Sequence, residues 1–236
     1  EDMFTERDRD TEYDESECTA ISLSDEETKC DSDGVKMDGQ TVTITEGGTY
    51  LLTGSLSNGS VVVDTDKTEK VQLILENVSI INEEGAGICV EQADKVFITL
   101  ADGSTNKIVS NSFTGNEDTN IDGAIFSRED LTLNGSGTLK ITSAAHGIVS
   151  KDDLVLTGGV YQIQSEKQGL SGKESVRIAD GTFTITSGTD AIHSEDTDED
   201  TKGFVYITGG VLTLAAGGDG ISSSYVVQAD GGSFDI

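Results

Sequence analysis

When the chain is laid out so that Leu139, Tyr161, Phe183, Leu212 and Phe234 share one column, the steps between them are 22, 22, 29 and 22 residues. The column two positions on holds Ile141, Ile163, Ile185, Leu214 and Ile236, with Lys140, Gln162, Thr184, Thr213 and Asp235 between the two. Apolar, polar, apolar at period two predicts a strand with one buried face, repeated once per unit. A second alternating strand precedes it, in Leu131–Leu133, Leu154–Leu156, Val176–Ile178 and Val205–Ile207. Glycine corners separate these two strands, as at Asn134-Gly135-Ser136-Gly137, Gly158-Gly159, Asp180-Gly181, Gly209-Gly210 and Gly231-Gly232, residues that tolerate positive φ. A third short segment opens each unit, in Gly123-Ala124-Ile125, Gly147-Ile148, Gly169-Leu170, Ala191-Ile192 and Gly220-Ile221.

Three short strands in each 22-residue step leave no room for a helical repeat, which needs a longer unit or a 3.6 period. The pattern predicts an all-β chain folded as a right-handed parallel β-helix. Its coils would stack roughly 4.8 Å apart, turning each column into a ladder with Tyr161 and Phe183 stacked inside. An antiparallel sandwich is the alternative, but it does not require one side-chain type to recur at a fixed offset. Earlier strands, such as Val42–Ile44, Val61–Val63, Val71–Leu75 and Val96–Leu100, are less regularly spaced, as expected of an irregular N-terminal cap. Two insertions break the period, Ser110 to Ile121 and the acidic Glu195 to Lys202, and insertions in repeat folds map to the functional face.

Composition adds a tail to this picture. The 236 residues include 28 Gly, no Pro and no Trp, which suits short strands with tight corners. The first 33 residues hold 14 acids against Arg7, Arg9 and Lys29, so residues 1–19 are expected as an acidic flexible tail or tether and 20–236 as a single domain. The net charge of −29 excludes nucleic acid as a partner, because phosphate binding needs clusters of Lys and Arg, and points to cations instead. No apolar run is long enough for a membrane span, and the start of the chain lacks the form of a signal peptide. Cys18 and Cys30 are placed to close a disulfide at the start of the domain, and Cys89 lies in an apolar run as a buried, free thiol.

Several ordered motifs then resemble a known family. They are Gly47-Gly48-Thr49-Tyr50-Leu51-Leu52-Thr53-Gly54-Ser55-Leu56, the segment Ala93 to Asn106, His146-Gly147-Ile148-Val149-Ser150-Lys151-Asp152-Asp153-Leu154 and Gly218-Asp219-Gly220-Ile221. Across residues 20 to 236 the chain resembles the bacterial carbohydrate-binding domain family first described in a cellulolytic clostridium. The resemblance implies a secreted or lipid-anchored surface protein, a β-helix similar to pectate lyases, bound calcium, and binding to cellulose and acidic sugars such as polygalacturonate. Members usually continue through further Asp-Gly-Ile coils, whereas this chain stops at Ile236, so a C-terminal cap is expected beyond it.

The residues supply candidates for that chemistry. Calcium takes six to eight oxygen ligands from carboxylates and carbonyls. Asp196, Asp198 and Asp200 stand at alternate positions of the second insertion; as an EF-hand the loop fails, since no Gly follows at its sixth position and Ile207 stands where the Glu belongs. Asp190 and Asp219 are equivalent in consecutive coils and would repel unless a cation lay between them. Asp118 and Asp122 form a second candidate. Arg128, Lys151 and Lys173 share a column, each followed by an acid, Glu129, Asp152 or Glu174; this is either a ladder of surface ion pairs or a row that engages the carboxylates of an extended uronate chain. Tyr206 stands almost alone as an aromatic that faces outward, while Gln162, Thr184 and Thr213 offer hydrogen-bonding side chains or simply the outer face of a sheet. Lys151 is the candidate base of a lyase, and His146 and His193 read as hydrogen bonders at coil corners.

The leading expectation is a noncatalytic, calcium-containing, monomeric polysaccharide-binding domain outside the cell or on a bacterial surface. A calcium-dependent pectate or uronate lyase and a structural adhesin or stalk are the alternatives.

Overall fold

The computed structural model describes residues 3–114 and 120–236; Asp118 lies outside them. The chain is an all-β parallel solenoid of about seven turns. Each regular coil runs through three strands, for example His146–Ser150, Asp153–Leu156 and Val160–Ser165, and like strands of successive coils pair in parallel to form three faces. These are called the first, second and third face in that order. The predicted columns hold in the observed register: Leu139 pairs with Tyr161, Tyr161 with Phe183, Phe183 with Leu212 and Leu212 with Phe234.

One hydrophobic cluster fills the solenoid from Ile21 to Leu214, built from the inward residues of all three faces. Burying each such Val, Leu or Ile contributes about 1.5–3 kcal/mol. Tyr161 and Phe183 are both fully buried, with rings 4.8 Å apart and 5° from parallel. Phe234 occupies the same column but is 37% exposed, because its strand pairs with Val211–Ala216 on one side alone.

The cap is irregular, as the early strands imply. Gly48–Leu56 turns a corner within one strand, pairing first with Lys70–Leu75 and then with Ser79–Asn82. Gly54 makes that turn at φ +89°, where a Cβ would sit 2.3 Å from the Leu23 carbonyl oxygen. Val35–Asp38 and Thr41–Ile44 form an antiparallel hairpin. Cys18 and Cys30 are both free, not bonded as the sequence suggested. Cys30 packs on the main core, whereas the Cys18 thiol turns back to the Asp14 carbonyl. Cys89 is buried and free.

The amino-terminal segment departs from the expectation of a flexible tail. Met3 to Asp10 lies across the outside of the second face, with the short helix Glu6–Arg9 capped reciprocally by Thr5 and Asp8. Phe4 is buried against Val155, Ala179 and Tyr206. Acidic composition misled here because a few specific contacts, rather than bulk apolar area, fix the segment. Among the described residues no helix is long and apolar enough to cross a membrane.

Candidate functional site

The two insertions lie at opposite edges of the first face. Ser110 to Ile121 enters before the strand Gly123–Ser127, and Glu195 to Lys202 leaves after the strand Ile192–Ser194. Between them, the outward column of the first face runs Phe126, Val149, Ser171, His193 and Ser222. Its upper part is apolar and closed, since Phe126 and Val149 pack with Ala86 and Cys89 and with the partly buried Val62 and Ile121. Ser171 and His193 are the partly open positions beside it.

Arg128, Lys151 and Lys173 stand where the sequence places them, directly after consecutive first-face strands. Their partners are not the acids that follow them in the chain. Arg128 Nε donates to Glu91 at 2.7 Å, Lys151 Nζ lies 3.7 Å from Asp122 Oδ1, and Lys173 Nζ bonds Asp198 at 2.8 Å with Asp196 at 4.0 Å. Arg128 and Lys151 also approach the Phe126 ring, 5.5 and 5.4 Å from its centroid. The acids come from neighbouring coils and from the second insertion, contacts that spacing within one repeat cannot reveal.

Asp122 is the centre of the site. Its Oδ2 faces His146 Nε2 at 3.4 Å, while its Oδ1 is enclosed and among the described residues has no hydrogen-bond partner, the lysine being too distant to donate. His146 accepts from the Gln168 backbone N–H through Nδ1, which assigns the proton to Nε2, facing Asp122. Burial pulls the His146 pKa down to about 4, against the upward pull of Asp122, so the ring is neutral at pH 7. Both nitrogens are therefore committed, and neither is open to take a proton from a substrate.

The residues expected to hold calcium do not converge. Asp190 and Asp219 are in register, but the Asp190 carboxylate accepts the Asp219 backbone N–H at 2.8 Å and meets His193 Nδ1 at 3.0 Å, and Asp219 is exposed. Asp196 Oδ1 accepts the backbone N–H groups of Asp198 and Glu199 within its own loop, Asp198 pairs with Lys173, and Asp200 points to solvent. Among the described residues no three His, Cys, Asp or Glu side chains come together as metal ligands. Asp190, Asp196 and Asp198 thus find their partners within the protein, and Asp200 and Asp219 remain exposed.

Tyr206 does face outward, yet Phe4 stacks on it at 6.0 Å and its hydroxyl donates to Asp230. It is a docking point for the amino-terminal segment rather than an open platform. The third face presents Lys140, Gln162, Thr184 and Thr213 in one exposed column.

The family described as carbohydrate-binding domain-containing protein matches residues 38–236. The chain belongs to this family. A carbohydrate-binding domain-containing protein of Acetivibrio thermocellus is 35% identical over 137 residues, 56% of this chain, and the match spans 48% of that relative's length. The solved structure of a polysaccharide lyase-like protein from C. thermocellum, a gadolinium derivative, superposes with a TM-score of 0.83 at 30% identity, covering 92% of this chain and 99% of its own.

Proposed function

We propose that this domain binds an extended acidic polysaccharide, such as polygalacturonate, along its first face without cleaving it. The observation that supports this most is Asp122 Oδ1, an enclosed carboxylate oxygen that lacks a hydrogen-bond partner among the described residues, 3.7 Å from the Lys151 ammonium. A buried acceptor left unsatisfied costs about 1–3 kcal/mol, and because the Asp122 side chain is 31% exposed, its carboxylate can turn to a sugar hydroxyl and remove that cost. Lys151 and Lys173, one coil apart, then exchange their pairing with Asp122 and Asp198 for ligand carboxylates, while Ser171 and His193 lie between the two insertions as further polar contacts. Since the chain carries −29, such binding is local and works against long-range repulsion. This reading places the domain outside the cell, where such polysaccharides are found.

The noncatalytic part of the reading rests on the candidate bases. His146 has both nitrogens engaged, and Lys151 is a 40% exposed surface ion pair rather than a desolvated amine. Retention on immobilised polygalacturonate and on cellulose, with calcium and with EDTA, tests the whole proposal. We expect retention on polygalacturonate in both conditions, lost in Lys151→Ala/Lys173→Ala, with no rise in ultraviolet absorbance from unsaturated product. Equal retention of the double variant sinks the first face as the site, and product absorbance sinks noncatalysis.

A further inference from the structure

The outside of the second face is built from side chains that bind oxygen atoms. Its outward residues include Gln72, Lys95, Phe97, Thr132, Asn134 and Arg177, and the amino-terminal segment covers them. Asp8 is 2% exposed, and its Oδ1 meets Lys95 Nζ at 2.9 Å and the Thr132 hydroxyl at 2.8 Å. The Asp8 carbonyl accepts from Asn134 Nδ2 at 3.2 Å and from the Thr157 hydroxyl at 2.7 Å, and Asn134 also donates to the Asp10 carbonyl at 3.0 Å. Arg177 donates to the Met3 carbonyl at 3.0 Å. In each of these contacts the face donates and the segment accepts; the reverse occurs where Arg7 donates to Gln72 at 2.8 Å.

A surface shaped for peptide would also take up peptide N–H groups. Here the segment turns its own inward instead: the Thr5 and Asp8 backbone N–H groups bond the side chains of Asp8 and Thr5. What the face reads is one carboxylate and a row of neutral oxygens, flanked by the Phe97 ring under Arg7 at 4.5 Å and the Tyr206 ring against Phe4. A uronate chain presents the same groups, as carboxylates, hydroxyl and ring oxygens and apolar sugar faces.

We infer that the second face is a second acidic-glycan site, in which Lys95 and Thr132 form a carboxylate socket that Asp8 fills in cis. The segment is a displaceable internal ligand: its helix is four residues long, and residues 11–18 between it and the first strand form no strand. A cover of this kind lowers apparent affinity by the fraction of time it is closed, so a segment docked about 99% of the time raises the apparent Kd about 100-fold. The ligand class rests on the reading of the first face, but the socket does not.

The test uses the full chain in a Lys151→Ala/Lys173→Ala background, which silences the first face. Adding Phe4→Ala/Asp8→Ala releases the segment, seen as faster amide hydrogen exchange across Asp130–Gly135, and titration with oligogalacturonate reads the socket. We expect about 100-fold tighter binding than in the background protein, reversed by adding Lys95→Ala. If the released variant does not fold, Asp8→Asn removes only the charge and is expected to give a smaller gain, again reversed by Lys95→Ala. Unchanged exchange overturns the displaceable cover. Faster exchange without tighter binding overturns the site, as does binding of a peptide with the sequence of residues 3–10 but of no oligogalacturonate. A gain through Lys95 with no retention by the first face would uphold the socket and reject the earlier reading.

Discussion

Tyr161 and Phe183, 22 residues apart, lie face to face in the core with 4.8 Å between ring centroids, the spacing that parallel strands impose on every column. Phe183→Ala removes one ring from a site with no room to collapse, and a loss of about 3–5 kcal/mol is expected from urea denaturation. Tyr161→Phe removes only the hydroxyl that donates to the Gly158 carbonyl at 2.8 Å, for about 1 kcal/mol. A loss in Phe183→Ala no larger than that in Tyr161→Phe would show that the stack does not hold the coils together.

The glycine corners make a second, separable contribution. Gly135 has φ +96°, and a Cβ there would stand 2.2 Å from the Leu100 carbonyl oxygen of the coil below. Gly103 also has positive φ, +67°, but a Cβ there meets nothing within 4 Å. Gly103→Ala therefore reports backbone strain alone, about 1–2 kcal/mol, whereas Gly135→Ala adds a clash with backbone that cannot move without shifting two coils. Thermal unfolding of the pair should show the larger loss at Gly135; equal losses would mean that the corner has slack.

The repeat was legible because a buried ladder forces like residues to recur, as Leu139, Tyr161, Phe183 and Leu212 do. The ion-pair partners of Lys151 and Lys173 were not, since Asp122 comes from the preceding coil and Asp198 from an insertion that shares no period with the coils. The docked amino-terminal segment left two signals that acidic composition obscured. Thr5 and Asp8 have the spacing of a capping box, and the second-face strands Val71–Leu75, Val96–Leu100 and Leu154–Leu156 are apolar at outward positions too, as at Ile74, Phe97 and Val155. Strands covered on both sides read as continuous apolar runs, so these runs pointed to something lying on the outer face. Cys89, Phe126 and Val149 carry the same signal on the first face.

Lys202 closes the second insertion. Its ammonium bonds Glu174 and, at 2.8 Å, Glu199, joining the loop to the coil beneath. Lys202→Met keeps the aliphatic stem and removes both bonds. Because exposed pairs add little to global stability, the urea midpoint should barely move while cleavage within Glu195–Lys202 by a Glu-specific protease speeds up several-fold. Unchanged cleavage would mean that Asp196, through its bonds to the Asp198 and Glu199 backbone, holds the loop unaided.

Two groups give stability opposite dependences on pH. Burial, with Asp130, Glu174 and Asp153 close by, pushes the Asp152 pKa up to about 7, from an unfolded value of about 3.9. Between those values the folded chain binds the extra proton, so the contribution of Asp152 is present at low pH and is lost as pH rises to 7. For His146 the folded value is about 4 and the unfolded about 6.5, so the unfolded chain binds the extra proton and stability is lost as pH falls from 6.5 to 4. Asp152→Asn should therefore gain in melting temperature relative to the parent progressively from pH 4 to 7, and His146→Gln progressively from pH 6.5 down to 4. The two difference curves have slopes of opposite sign. A flat curve for Asp152→Asn would mean that the crowded acids at the junction of the first and second faces do not share a proton, and a flat curve for His146→Gln that the ring is not held neutral between Gln168 and Asp122.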